Sequence, residues 1–112
     1  MKKVLLSICI PTYNRAEYLD EAINSVLVQI TEDIKDKIEI CVSDNNSIDN
    51  TKDIILSLQK KSTIPIIYHE NSTNIGADMN FLKVIEIILR IYWQFLQIPD
   101  STKSALDISK LL

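Results

Sequence analysis

Two polar clusters, each placed directly behind an apolar run, carry most of the chemistry this chain can offer. Val4 to Ile10 runs into Pro11-Thr12-Tyr13-Asn14-Arg15, and Ile38 to Val42 runs into Ser43-Asp44-Asn45-Asn46-Ser47-Ile48-Asp49-Asn50-Thr51. Strands that end this way and then feed helices describe a parallel sheet whose carboxyl edges open on one crevice, where open α/β sheets bind ligands. An aromatic ring, carboxylates and amides gather there. That set suits a ligand with a flat ring, hydroxyls and a metal ion.

The segments between these clusters supply the frame that positions them. Leu19, Ala22, Ile23, Val26, Leu27 and Ile30 recur at helical spacing behind the first cluster. Asn14 and Glu17 read there as a capping pair at the helix start. Asp49 or Asn50 caps a second helix, with Ile54, Ile55 and Leu58 facing inward, and Thr51 also reads as a capping residue. Pro65 sits at the start of a third strand, Ile66 to Tyr68, where its missing donor is tolerated. Asn71 to Asn80 is a loop opening a third helix with an apolar stripe at Phe81, Val84, Ile85, Ile88 and Leu89. Ile91 to Leu96 reads as a fourth strand, with Trp93 and Phe95 packing in the core, and Ala105 to Leu112 as the start of another helix. The expected fold is therefore α/β: a Rossmann-like, doubly wound, mostly parallel sheet of about four strands and three to four helices.

Composition narrows the function classes. A chain of 112 residues with 46% hydrophobic content forms one core and hardly two. Fifteen acidic residues against twelve basic give a net charge of −3, which offers no broad field for nucleic acid or an anionic membrane. The apolar stretch Ile85 to Leu96 is broken by Glu86, Arg90 and Gln94, too soon for a membrane span. Met1-Lys2-Lys3 imitates a signal n-region, but the apolar run behind it is short and ends in the Pro-Tyr-Asn-Arg turn, so a cytoplasmic protein is expected. Gly76 is the single glycine, which excludes the glycine-rich phosphate loops of conventional NAD and ATP sites. Cys9 and Cys41 read as structural thiols inside buried strands, with a disulfide between neighbouring strands as the alternative. His69 reads as a strand-end residue with no catalytic partner.

Four ordered segments resemble the amino-terminal half of the family 2 glycosyltransferases, inverting enzymes with the GT-A fold. They are Ser7 to Arg15, Val42 to Thr51, Asn71 to Asn80, and Tyr92 to Leu96. The resemblance implies that residues 1–112 form a single partial GT-A domain, the half that binds the nucleotide of a nucleotide-sugar donor, usually a UDP-sugar. Carried over by position, Pro11 and Tyr13 line the base pocket, and Asp44 accepts a hydrogen bond from the uracil ring N–H, a donor that cytosine lacks. Asp78 stands near the mouth of the crevice, within reach of ribose or sugar hydroxyls. Family members follow the fourth strand with a D-x-D cluster that holds Mg2+ or Mn2+ against the diphosphate; here Ile98, Pro99 and Asp100 stand there. Asp100 alone is then the candidate ligand for a weakly held dication.

The catalytic carboxylate and the acceptor-binding half of the family domain would lie beyond Leu112, so the resemblance names no base in this sequence. It implies a cytoplasmic enzyme of bacterial surface polysaccharide or glycolipid synthesis, at most peripheral to the inner face of the membrane. Its acceptor would be a saccharide or a lipid-linked molecule, and an isolated chain would be poorly active. The alternative is a truncated, inactive homologue that binds nucleotide or self-associates into a homo-oligomer through uncovered apolar surface.

Overall fold

A computed structural model describes residues 4–95, with side-chain surroundings up to Leu89. The chain alternates strand and helix: β1 (Leu6–Thr12), α1 (Ala16–Leu27), a single 3-10 turn (Lys35–Lys37), β2 (Ile38–Asp44), α2 (Thr51–Lys61), β3 (Ile66–Glu70) and α3 (Ala77–Phe95). The strands pair in parallel in the order β1-β2-β3. Leu6 lies opposite Ile38 and Thr12 opposite Asp44, so the two polar clusters leave the sheet side by side.

Side chains alternate across a strand, and the two faces of this sheet differ in what covers them. Ile40, Val42 and Ile66 form the core with Leu19 and Ile23 of α1 and Ile55 and Leu58 of α2. Ile23, Ile40 and Ile55 lose all contact with solvent. Burying a side chain of this size stabilises the fold by about 1.5–3 kcal/mol. The periodicity of α1 and α2 in the sequence is thus the record of one shared apolar face. The other face carries Ser7, Glu39, Cys41 and Ser43, and α3 packs against its carboxyl-terminal part, where Asn80 bonds Ser43. Lacking an N–H, Pro65 precedes β3 and offers its carbonyl to the Ile40 N–H at 2.9 Å.

Two expectations are corrected here. The fourth strand is not formed at 91–95, where α3 continues unbroken from Ala77 to Phe95. A short apolar run fits both periods, and no glycine or proline separates Leu89 from Ile91, so the helix already under way propagates. Its 19 residues span about 28 Å. Leu96, the helix expected at Ala105 to Leu112, and Asp100 lie outside the described residues. The second correction concerns Cys9, expected in a buried strand. It is exposed on β1, an edge strand among those described, whereas its register partner Cys41 is buried. Both thiols are free, and burial, with Glu39 and Cys9 nearby, pushes the Cys41 thiol up to about 12.

Candidate functional site

The exits of β1 and β2 are clasped together by side chains that each satisfy the other loop's backbone. Asn14 takes a left-handed conformation, φ 50°, which asparagine tolerates better than most residues. Its N–H donates to Ser47 Oγ at 2.8 Å, and its Oδ1 accepts from the Ile48 N–H at 2.8 Å. Asn14 is therefore not the cap of α1, a correction to the sequence reading. Arg15 occupies that position without a capping side chain, and the carboxylate that serves the helix start comes from Asp49, 33 residues away. Asp49 Oδ2 accepts from the Ala16 N–H at 3.2 Å, while Oδ1 accepts from the Thr51 N–H and hydroxyl at 3.1 and 2.5 Å. One carboxylate thus stands at the N-termini of two helices, where partial positive charge favours it.

The Thr51 hydroxyl, helped by backbone N–H groups, holds the Asp49 carboxyl below the usual carboxylate range. A depressed folded pKa contributes stability that is complete above the unfolded value, about 3.9, and is lost as pH falls through the folded value. Asp49→Asn, which keeps a capping oxygen and loses only the solvent-screened charge, should cost about 0.3–0.5 kcal/mol at neutral pH by urea unfolding. The gap between variant and wild type should close below about pH 4. A gap that stays constant into acid would exclude the charged cap.

Asp44 closes the end of β2 and is 1% exposed. Its Oδ1 accepts from the N–H and the hydroxyl of Ser47, at 3.0 and 2.5 Å, which fixes the turn around left-handed Asn46. Its Oδ2 accepts from the Tyr68 hydroxyl at 2.5 Å. Burial, together with Asp44 and Glu70, pushes the Tyr68 hydroxyl far above its ordinary value, so it stays a donor to Asp44 at any physiological pH.

An amide network crosses from this edge to α3. Asn80 is buried; its Nδ2 donates to the carbonyls of Ser43 and Thr12 at 2.9 and 3.4 Å, and its Oδ1 accepts from Ser43 Oγ and Asn71 Nδ2 at 2.8 and 3.0 Å. Asn45 Oδ1 accepts from Asn71 Nδ2 at 3.2 Å and from the Ile75 N–H at 2.9 Å. Asn45 Nδ2 donates to Asn74 Oδ1 at 2.7 Å, which also accepts from the Gly76 N–H at 2.8 Å. Gly76 turns the chain at φ 88°, a region that strains residues with a Cβ, and α3 begins at the next residue.

Above this network lies an open cleft of about 410 Å³. Pro11, Thr12, Tyr13 and Arg15 form one side; Asn45, Asn74 and the first turn of α3, with Gly76, Ala77 and Asn80, form the other. Of the residues expected from the sequence, Pro11 and Tyr13 line this cleft and Tyr13 is partly open to solvent. Asp44 lies at the same strand edge, but its carboxylate is held by Ser47 and Tyr68 and does not line the cleft. Asp78 is exposed in the first turn of α3, one residue beyond the lining residue Ala77. Asn45, Asn74 and Asn80 were missed as site residues. Their signal in the sequence was the run of asparagines at the strand exits. Among the described residues no carboxylate lines the cleft, and Arg15, which also stacks its guanidinium over Tyr18 at 5.8 Å, is the cation that does. A depression of similar volume between α1 and α2, edged by Asp20, Asp53 and Lys61, lies away from the strand ends. Among the described residues, no three His, Cys, Asp or Glu side chains come together to hold a metal ion.

Comparison with known proteins identifies this arrangement. Residues 7–88 match the family model for glycosyl transferase family 2, and the chain belongs to that family. It is 48% identical over 84 residues to the abequosyltransferase of Salmonella typhimurium, a stretch covering 75% of this chain and 25% of that protein. It is 49% identical over 55 residues to the GalNAc(5)-diNAcBac-PP-undecaprenol beta-1,3-glucosyltransferase of Campylobacter jejuni, covering 49% of this chain and 16% of that one. The chain thus spans about a quarter of the first of these relatives and less of the second. The fold matches a mannosyltransferase from Pyrobaculum calidifontis, solved with GDP-Man and Mn2+, at a TM-score of 0.62 and 21% identity over 72% of this chain and 23% of that one. The α/β arrangement of three parallel strands and three helices is therefore of the GT-A type. Among the described residues, no helix is long and apolar enough to cross a membrane.

Proposed function

We propose that this chain supplies the nucleotide-binding half of an inverting glycosyltransferase and that the cleft at the strand edge holds the nucleotide of a nucleotide-sugar donor. The observation that carries this is the cleft itself, which Pro11 and Tyr13 line together with Asn45, Asn74 and Asn80. A flat base needs an aromatic surface in a fixed position; Tyr13 supplies the surface, and the clasp made by its neighbour Asn14 holds the loop that carries it. In this reading Pro11 and Tyr13 take the base, and Asp44 serves them from beneath by holding the Ser47 turn. Asp78 stands at the mouth for ribose or sugar hydroxyls.

Arg15, the cation of the cleft, faces the charge of the diphosphate. Mg2+ or Mn2+ would neutralise that charge further when bound. The described residues alone make no dication site, so Asp100 together with diphosphate oxygens is the proposed ligand set. Relatives named for abequosyl transfer and for an undecaprenol-linked saccharide support a bacterial role in surface polysaccharide or glycolipid synthesis, with a saccharide or lipid-linked acceptor at the cytoplasmic side of a membrane. Calorimetric titration with pyrimidine nucleoside diphosphates, with and without Mn2+, tests the reading. Tyr13→Ala should weaken binding about tenfold, as expected for the loss of one stacking surface. Equal affinity in wild type and variant would remove the base from this cleft.

A further inference from the structure

We propose that the cleft prefers cytidine to uridine nucleotides and that Asn45 and Asn74 read the base; this rests on the nucleotide-binding reading above. The hydrogen-bonding capacity left over at the cleft separates the two bases. The orientation of each amide is fixed by a backbone group whose role is unambiguous. The Ile75 N–H can only donate, so the atom of Asn45 facing it is oxygen; the Gly76 N–H fixes Asn74 in the same way.

Asn45 Oδ1 already accepts from two donors and has filled its capacity, whereas its Nδ2 makes a single bond, to Asn74 Oδ1. Asn74 Oδ1 likewise accepts twice. What these two residues retain is therefore N–H: the second hydrogen of Asn45 Nδ2 and the amide hydrogens of Asn74. Because the two amides touch, these donors are neighbours. Both residues line the cleft, and among the described residues no carboxylate does.

A pair of adjacent donors complements a pair of adjacent acceptors. Cytosine presents N3 and O2 side by side as acceptors, whereas uracil interrupts its two carbonyls with the N3–H donor. Against this cleft, uracil would set N–H against N–H. A mismatch of that kind, with buried Asn45 as one of the two donors, separates the two bases. The carboxylate that would accept the uracil N–H, Asp44, is already held by Ser47 and Tyr68.

The test titrates the 112-residue chain with CDP, UDP, ADP and inorganic pyrophosphate in the presence of Mn2+. CDP should bind about tenfold or more tightly than UDP, and the CDP analogue with carbon in place of N3 should lose about tenfold against CDP. Asn45→Asp, which replaces the donor by an acceptor, should shift the CDP-to-UDP ratio about tenfold toward UDP. That ratio is read within one protein and is independent of the variant's overall stability. UDP binding as well as CDP, ADP binding better than CDP, or an unchanged ratio in Asn45→Asp would each overturn the cytosine assignment while leaving nucleotide binding intact. Nucleotides that bind no better than pyrophosphate would overturn the nucleotide reading itself.

Discussion

Asn80→Leu is expected to destabilise the fold by about 3 kcal/mol although leucine shares the branched four-atom outline of the amide side chain. Asn80 is 3% exposed, and its amide bonds polar groups of β1, β2 and the loop before α3, of which the Thr12 carbonyl also accepts from the Asn45 N–H at 2.9 Å. Leucine would take one bond each from the carbonyls of Thr12 and Ser43 and would remove the acceptor of the Ser43 hydroxyl and of one Asn71 N–H. A single buried polar group left without a partner costs about 1–3 kcal/mol, and water entering from the cleft recovers part of the total. Asn80→Asp is the sharper control, because it keeps the acceptor for Ser43 and Asn71 but turns an oxygen toward two carbonyl oxygens. It should be nearly as harmful as leucine. Urea unfolding of both variants checks this, and an aspartate variant as stable as wild type would mean that the two carbonyls do not depend on Asn80.

The same residue shows where sequence reading stops. β1, β2, α1 and α2 were legible because each is a local pattern: an apolar run of strand length, or apolar residues three and four apart, bounded by polar turns. That Pro11 and Tyr13 line the cleft was legible because they sit at the end of the first such run and directly behind it. Asn80 and Asn45 carry no comparable mark, since a neutral amide in a polar loop reads as turn filler. Their importance lies in bonds that join positions 37, 68 and 30 residues apart, which no local pattern contains. Asn14 failed for the related reason that a good capping residue was present, but a carboxylate from another loop reached the helix start instead. The stretch at 91–95 failed differently. Its aromatic and β-branched residues favour a strand locally, and only continuity with α3 decides for helix.

The second large effect is expected at Asp44, and comparing two substitutions there separates a structural carboxylate from one that touches ligand. Asp44→Ala removes the acceptor for the Ser47 N–H, the Ser47 hydroxyl and the Tyr68 hydroxyl from a site that is 1% exposed. The turn around Asn46 would lose its anchor, and with it the Ser47 hydroxyl that receives the Asn14 N–H. A loss of about 2–3 kcal/mol follows, since hydrogen bonds to a charged group are worth more than neutral ones. Loosening of the clasp should weaken nucleotide binding in parallel. Asp44→Asn keeps one oxygen for Ser47, and its amide can donate to the Tyr68 oxygen once that hydroxyl has turned. It should cost about 1 kcal/mol. If the carboxylate acts through the turn, the asparagine variant keeps nucleotide affinity within about threefold and leaves the base preference unchanged. A variant that folds as wild type does but loses its discrimination between bases would place the carboxylate on the ligand instead, with Tyr68 or Ser47 giving way as the base enters. The distinction turns on the tyrosine hydroxyl, which burial and two nearby carboxylates hold in its protonated form, so that it donates to Asp44 Oδ2.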